Sequence, residues 1–369
     1  MAYLLNLIGS VLSALLLFST TGQAAHAPPD VWFSPAVESA DYLDLFVKPE
    51  LWASVRGRIS VFKFSPAQVR RPKPGDVNTV DDLKRVDAFR KLQRWGISVA
   101  LEVPSVKEWD CSAQGDTRDT RVHGNAAATT MNFIKNVYDG GGAVQFLAMD
   151  EPLVSGLVAC HETIEVVAAR TASYARSILT NKDVNTWTKS LSIGDIEAYP
   201  SRTVEQIEAW IMALMSKGFK PSFFHLDVDP NDVAARGDKL DSARDYKNLQ
   251  AFFHAQGIPF GIIFWSGHNP EMSDQSYFSH TLSWVGDVHS AIGAPDQLIF
   301  QSWVRRLDAS CSASFGCARD MNPACRPIEP ASCGRSSVPI NLPEDNPSIF
   351  SHMRLVNESF NKLSARRSR

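Results

Sequence analysis

The 369-residue chain has six cysteines but no Cys-x-x-Cys pair, which excludes a zinc site built from paired thiolates. Its first strand-like run ends Trp32-Phe33-Ser34-Pro35, with no glycine-rich turn to cradle a dinucleotide phosphate. Charge of either sign is scarce in excess: 37 Lys and Arg against 40 Asp and Glu leave a net −3. That balance gives no reason to expect nucleic acid or an anionic membrane as partner. Beyond the N-terminus no apolar run approaches the roughly 20 residues needed to span a bilayer. The serine at Ser266 lacks the Gly-x-Ser-x-Gly frame of a nucleophile elbow.

What is present begins with a leader. Leu4 to Phe18 is apolar apart from Asn6, Gly9, Ser10 and Ser13, and Ala25-His26-Ala27 follows as a small-x-small cleavage pattern. Residues 1–27 therefore read as a secretion signal, with Gly22-Gln23-Ala24 as an alternative site. The processed protein, 28–369, is expected to be secreted or periplasmic, free of the membrane and monomeric. In an exported protein the cysteines are expected in disulfides. Cys111 and Cys160 follow neighbouring strands and suit a bridge to one another, while the order among Cys311, Cys317, Cys325 and Cys333 is open.

Strand-like and helix-like segments alternate along the rest. Strands are expected at Val31–Ser34, Ile59–Ser65, Ile97–Val103, Val144–Met149, Leu191–Glu197, Phe223–Val228, Phe260–Trp265 and Leu298–Trp303. Helical spacing marks Val80–Trp95, Thr203–Lys217, Asp241–Gln256, Ser273–Ile292 and Pro347–Ser364, and Thr203-x-x-Gln206 has the form of a capping box. Gly57, Gly96, Gly218, Gly257 and Gly293 each precede a strand, where a helix ends most easily in a left-handed cap. Eight such units without a linker predict one α/β domain, a single (β/α)8 TIM barrel. A Cys- and Pro-rich stretch, 305–345, is expected as a long loop after strand eight.

In such a barrel the active site lies at the carboxyl ends of the strands, and here those ends are polar and aromatic. Val144–Pro152 is an apolar run stopped by Asp150-Glu151-Pro152. Strand two offers Lys63, strand three Glu102, and strand five Asp195, Glu197 and Tyr199. Strand six offers His225, Asp227 and Asp229 on one face, strand seven Trp265, strand eight Gln301 and Trp303, and strand one Trp32. Carboxylates of this number at one mouth are expensive to bury as unpaired charges, and flat indole faces suit sugar rings. Together they predict a carbohydrate substrate. Lys63 and Glu102 also have a simpler use as an ion pair within the barrel, and Asp229-Pro230 as a turn.

On these motifs the chain resembles the (β/α)8 glycoside hydrolases, in particular the clan whose fourth strand ends Asn-Glu-Pro. Asp150-Glu151-Pro152 matches that motif with Asp for Asn, and Trp303 matches the clan's strand-eight tryptophan. The resemblance implies Glu151 as proton donor, no cofactor and no metal. Strand seven ends Phe264-Trp265-Ser266-Gly267, without the clan's nucleophilic glutamate. Two mechanisms fit the departure: inversion, with Glu197 or Asp227 as base, and substrate assistance. For the second, Asp150-Glu151 is similar to the Asp-Glu pair of β-N-acetylhexosaminidases, whose aspartate orients an acetamido group. The competing classes are a glycan-binding barrel without turnover and a metal-dependent hydrolase or isomerase with His225, Asp227, Glu151 and Glu102 as ligands.

Overall fold

The computed structural model describes residues 29–106, 120–265, 273–302 and 340–367. The segment read as a leader, Cys111, Trp303 and the four clustered cysteines lie outside the described residues. Cys160 is disulfide-bonded.

Eight strands form: β1 (Asp30–Ser34), β2 (Val61–Phe64), β3 (Ser98–Val103), β4 (Val144–Asp150), β5 (Ser192–Tyr199), β6 (Phe224–Val228), β7 (Phe260–Phe264) and β8 (Gln297–Gln301). Each pairs in parallel with the next, and β8 returns to β1 in the register Trp32 to Ile299 and Ser34 to Gln301, closing the barrel. The expected alternation is thus the observed one, and the strand bounds differ by a residue or two at the ends.

Because helices cover the outside, both strand faces are buried, and their side chains sort into two groups. Val31, Phe33, Phe62, Phe64, Leu101, Leu147 and their neighbours pack outward against the helices. Trp32, Val61, Ala100, Ala148, Ile196, Phe223, Ile263 and Ile299 fill the barrel, with Phe146 and Trp265 against them. Trp32 is the largest of these, its ring 5.1 Å from Phe146, 5.0 Å from Phe223 and 4.7 Å from His225. It is a core residue of the barrel rather than a platform at its mouth.

The local signals had mixed outcomes. Thr203 accepts from the Gln206 amide at 3.3 Å and Gln206 Oε1 from the Thr203 amide at 3.1 Å, the reciprocal cap its spacing predicts, opening helix Val204–Ser216. Gly96, Gly218, Gly257 and Gly293 take positive φ, while Gly57 stays right-handed at φ −67°. The helix expected over Val80–Trp95 is two, Val80–Arg85 and Ala88–Arg94, divided at Asp87 with φ +57°. Aspartate tolerates that left-handed geometry better than most side chains. The last helix runs His352–Arg367 and starts later than expected, because Ser351 Oγ accepts from the Arg354 amide at 3.1 Å and sets the cap there.

Inside the barrel the fit is tight. A Cβ added at Gly194, in β5, meets the Phe223 ring at 2.3 Å. Gly194→Ala is therefore expected to lower unfolding free energy by about 1–3 kcal/mol through overpacking, read as a lower urea midpoint with unchanged slope.

Candidate active site

At the carboxyl ends of the strands a cleft of about 420 Å³ opens. It is lined by Glu102, Asp150, Glu151, Tyr199, Ser201, Asp227, Asp229, Asp232, Trp265 and Gln301, with Ile196, Ala198 and Ile263 as its apolar floor. Seven residues singled out from the sequence, at the ends of six strands (Glu102, Asp150, Glu151, Tyr199, Asp227, Trp265 and Gln301), thus border one cavity.

The cleft's side chains are held from beneath. Lys63 lies wholly buried with Nζ 2.9 Å from Glu102 Oε2, whose side chain is 17% exposed. Gln301 Nε2 donates to the same Glu102 oxygen at 3.2 Å. The ion pair weighed as a simpler use of Lys63 and Glu102 therefore exists, and it presents only its acidic partner to the cleft. Beside it, the Trp265 indole N–H donates to Asp227 Oδ1 at 2.9 Å. Burial drives the Asp227 carboxyl up to about 7; the Trp265 bond and the Lys63 charge pull against that rise, and the Asp150 and Glu102 charges add to it. A carboxyl poised there exchanges protons near neutrality.

Glu151 takes a left-handed backbone, φ 47° and ψ 51°, at the start of the helical turn Pro152–Val154. Such geometry in a residue with a side chain costs on the order of 1–3 kcal/mol and persists only when surroundings enforce it. The enforcement comes from β5: the Glu151 amide donates to the Ile196 carbonyl at 3.0 Å.

Other predicted residues are placed elsewhere. Glu197 points out of the barrel, fully buried, and accepts from the Leu153 and Val154 amides at 2.6 and 3.3 Å. It does not line the cleft, so it is not available there as a base. Its face of β5 carries two more polar groups: Asp195, accepting from the Trp210 indole at 2.7 Å, and Tyr199, which borders the cleft while its hydroxyl donates to Asp245 at 2.8 Å. His225 is sealed beneath Asp227 with Nε2 2.8 Å from Gln297 Oε1. An amide oxygen only accepts, which assigns the hydrogen to Nε2. Burial, reinforced by the Lys63 charge, depresses the imidazole to about 3 and keeps it neutral. His225 and Lys63 support the cleft without facing it. Among the described residues no group of three or more His, Cys, Asp or Glu side chains is placed to hold a metal ion.

Two further acids of the lining follow β6. Asp229 caps helix Pro230–Arg236, accepting from the Asn231 and Asp232 amides at 2.8 and 3.2 Å, and Asp232 pairs with Arg236 at 2.9 Å. Asp229 is marked in the sequence by its alternation with His225 and Asp227 and by the proline after it, whereas Asp232 is marked only by its place just after a barrel strand.

The buried acids leave a trace in stability. Burial raises Asp195 to about 8, and burial together with the Asp195 charge raises Glu197 well above the usual range. In the unfolded chain these carboxyls release their protons near pH 4, so across the interval up to pH 8 the folded Asp195–Glu197 pair holds a proton that the unfolded state lacks. Stability therefore falls as pH rises through that window. His225 and His352, both depressed to about 3 by burial, act oppositely and remove stability below about pH 6.5. The urea midpoint is expected to peak on the acid side of neutrality and to decline from pH 6 to 9, and Asp195→Asn is expected to flatten that decline. A midpoint that rises over the same interval contradicts the assignment.

No family model and no curated protein matches the chain. Solved structures do match in fold. A GH5_18 protein from Streptomyces cattleya in complex with GlcNAc aligns with TM-score 0.50 and 9% identity, over 92% of this chain and 81% of that one. An L-ribulose 3-epimerase aligns at 0.44 and 15%, over 93% and 97%. D-psicose 3-epimerase from Clostridium cellulolyticum, with D-tagatose, aligns at 0.44 and 10%, over 92% and 99%. At these identities the likeness is one of fold: a TIM barrel whose structural neighbours are enzymes, among them a glycoside hydrolase and sugar epimerases.

Proposed function

We propose that the protein is an exported glycoside hydrolase acting on a polysaccharide or oligosaccharide by an acid–base couple of Glu151 and Asp227. The observation that carries this reading is the convergence of Glu102, Asp150-Glu151 and Asp227 with Trp265 in one cleft, with Asp227 poised near neutrality.

In this scheme Glu151 gives its proton to the glycosidic oxygen as the bond from the anomeric carbon breaks. Asp227 takes a proton from the water whose oxygen attacks that carbon. The couple ends with Asp227 protonated and Glu151 ionised, and solvent restores both. A base with a pKa near 7 draws a proton from water more strongly than an ordinary carboxylate does, which is the use an enzyme has for such a shift. Trp265 supplies the flat face for a sugar ring and, through its indole N–H, holds Asp227 in place. The position of Glu197 behind the barrel wall favours Asp227 over it as the base. Substrate assistance remains the second reading because Asp150 lines the same cleft beside Glu151. The two differ in product: inversion releases the opposite anomer, and assistance retains the original one.

The test is a hydrolysis screen of the purified protein against neutral and N-acetylated glycans, with Glu151→Gln and a chelator-treated sample in parallel and proton NMR of the released anomer. Cleavage that survives chelation and is lost in the variant is the expected result. Glycan binding without turnover, indifferent to the substitution, overturns the proposal in favour of a binding barrel. Turnover abolished by chelation overturns it in favour of a metal-dependent enzyme.

A further inference from the structure

The geometry points to Glu197 as a positioning residue for Glu151, holding from behind the barrel wall the turn from which Glu151 faces the cleft. The inference rests on the proposed role of Glu151 and adds the device that sets it.

A helix start leaves its first amides without partners, and the side chain of the residue preceding the helix usually takes them. Here that residue is Glu151, and its side chain makes no capping bond. Pro152, at the first helical position, has no N–H to satisfy. The next two amides, Leu153 and Val154, go to Glu197, one to each carboxylate oxygen. The cap is thus supplied by a residue on the next strand, 44 positions away from Leu153. A Glu151 that capped its own helix would turn its carboxyl back onto the backbone, away from the cleft it lines.

The same strand adds a third hold, the Glu151 amide to the Ile196 carbonyl. These three bonds run from consecutive β5 residues, one through a backbone carbonyl facing the neighbouring strand and two through a side chain pointing out of the barrel. Together they enforce the left-handed Glu151 backbone, which a freely capped turn would relax. Burying a carboxylate beside Asp195 is unfavourable in itself, so Glu197 is poorly explained as a stabilising residue. Two amides with one carboxylate also make a demanding pattern. Glutamine offers one accepting oxygen, and its amide nitrogen faces the second N–H donor to donor.

The experiment compares Glu197→Gln, Glu197→Ala and Glu151→Gln, singly and combined, with two readouts. The first needs no substrate: amide hydrogen exchange of the full-length protein. Glu197→Ala, or Glu197→Gln if the alanine variant does not fold, is expected to speed exchange at least tenfold in a peptide covering 151–159, with β4 and β5 unchanged. Exchange in that peptide equal to the wild type overturns the inference. The second uses the glycan that the hydrolysis screen identifies. Glu197→Gln is expected to lower kcat at least tenfold with KM within twofold, and Glu151→Gln/Glu197→Gln is expected to be no slower than Glu151→Gln alone. Losses that multiply in the double variant show that Glu197 does not act through Glu151 and overturn the inference. If no glycan is cleaved, the proposed function fails while the exchange result still decides whether Glu197 holds the turn.

Discussion

Glu151→Gln is expected to lower kcat/KM on a natural glycan by about 10²–10⁴-fold, the usual contribution of a positioned general acid, while leaving the thermal midpoint where it is. Glutamine keeps the shape of the side chain, and the backbone bond to Ile196 is untouched. The size of the loss is predicted to depend on the leaving group. An ordinary sugar hydroxyl leaves only when protonated, whereas a dinitrophenolate leaves without help, so activated aryl glycosides should lose far less. Measuring kcat/KM across aryl glycosides of graded leaving-group acidity checks this: a steep dependence in the variant and a shallow one in the wild type identify the proton donor. An equal loss at every leaving group means that Glu151 does something other than donate a proton. The same assay carries a pH signature. With Asp227 poised near 7 and acting as base, kcat/KM rises through neutrality as that carboxyl ionises; a rate that falls there would make Asp227 the donor instead.

Lys63→Met is the substitution expected to cost most in stability, about 3–5 kcal/mol, the usual penalty for breaking a buried ion pair from one side. Lys63 is sealed in the barrel, and its Nζ lies against Glu102 Oε2. Removing it leaves Glu102 with the Gln301 amide at 3.2 Å as partner to that oxygen and no compensating charge nearby on β2. Urea unfolding of Lys63→Met, Glu102→Gln and the double variant measures the coupling. The double variant is expected to recover much of the loss, because two neutral groups leave no charge stranded. An additive double variant means that the pair contributes little beyond packing. Lys63 also opposes the rise of Asp227, so its loss is expected to shift the acid limb of activity to higher pH.

The barrel was legible because its signals repeat. Apolar runs recur eight times, five of them preceded by a glycine exit, and errors at single elements, such as the break at Asp87 or the late start of the last helix, do not alter the count. The cleft was legible in part. The ends of β3, β4, β6, β7 and β8 deliver Glu102, Asp150, Glu151, Asp227, Trp265 and Gln301 as the strand-end rule implies. What failed was parity. When both faces of a strand are buried, polar and apolar alternation does not say which face is inward. In β5 the barrel takes Gly194, Ile196 and Ala198, and the helices take Asp195, Glu197 and Tyr199. In β1 the same ambiguity made Trp32 look like a platform for sugar. His225 shares its face with Asp227, but one step lower along the strand is already sealed core.

That inverted strand has a consequence for folding specificity. Parallel strands buried on both faces are prone to sliding, since apolar side chains fit either side nearly as well. Moving β5 by one residue exchanges its faces. It would press Asp195 and Glu197 against Phe146 and Phe223 and leave the Trp210 indole and the Leu153 and Val154 amides without acceptors. The groups that lower stability in the correct alignment make the neighbouring one untenable, so β5 acts as the index mark against which β4 and β6 are set.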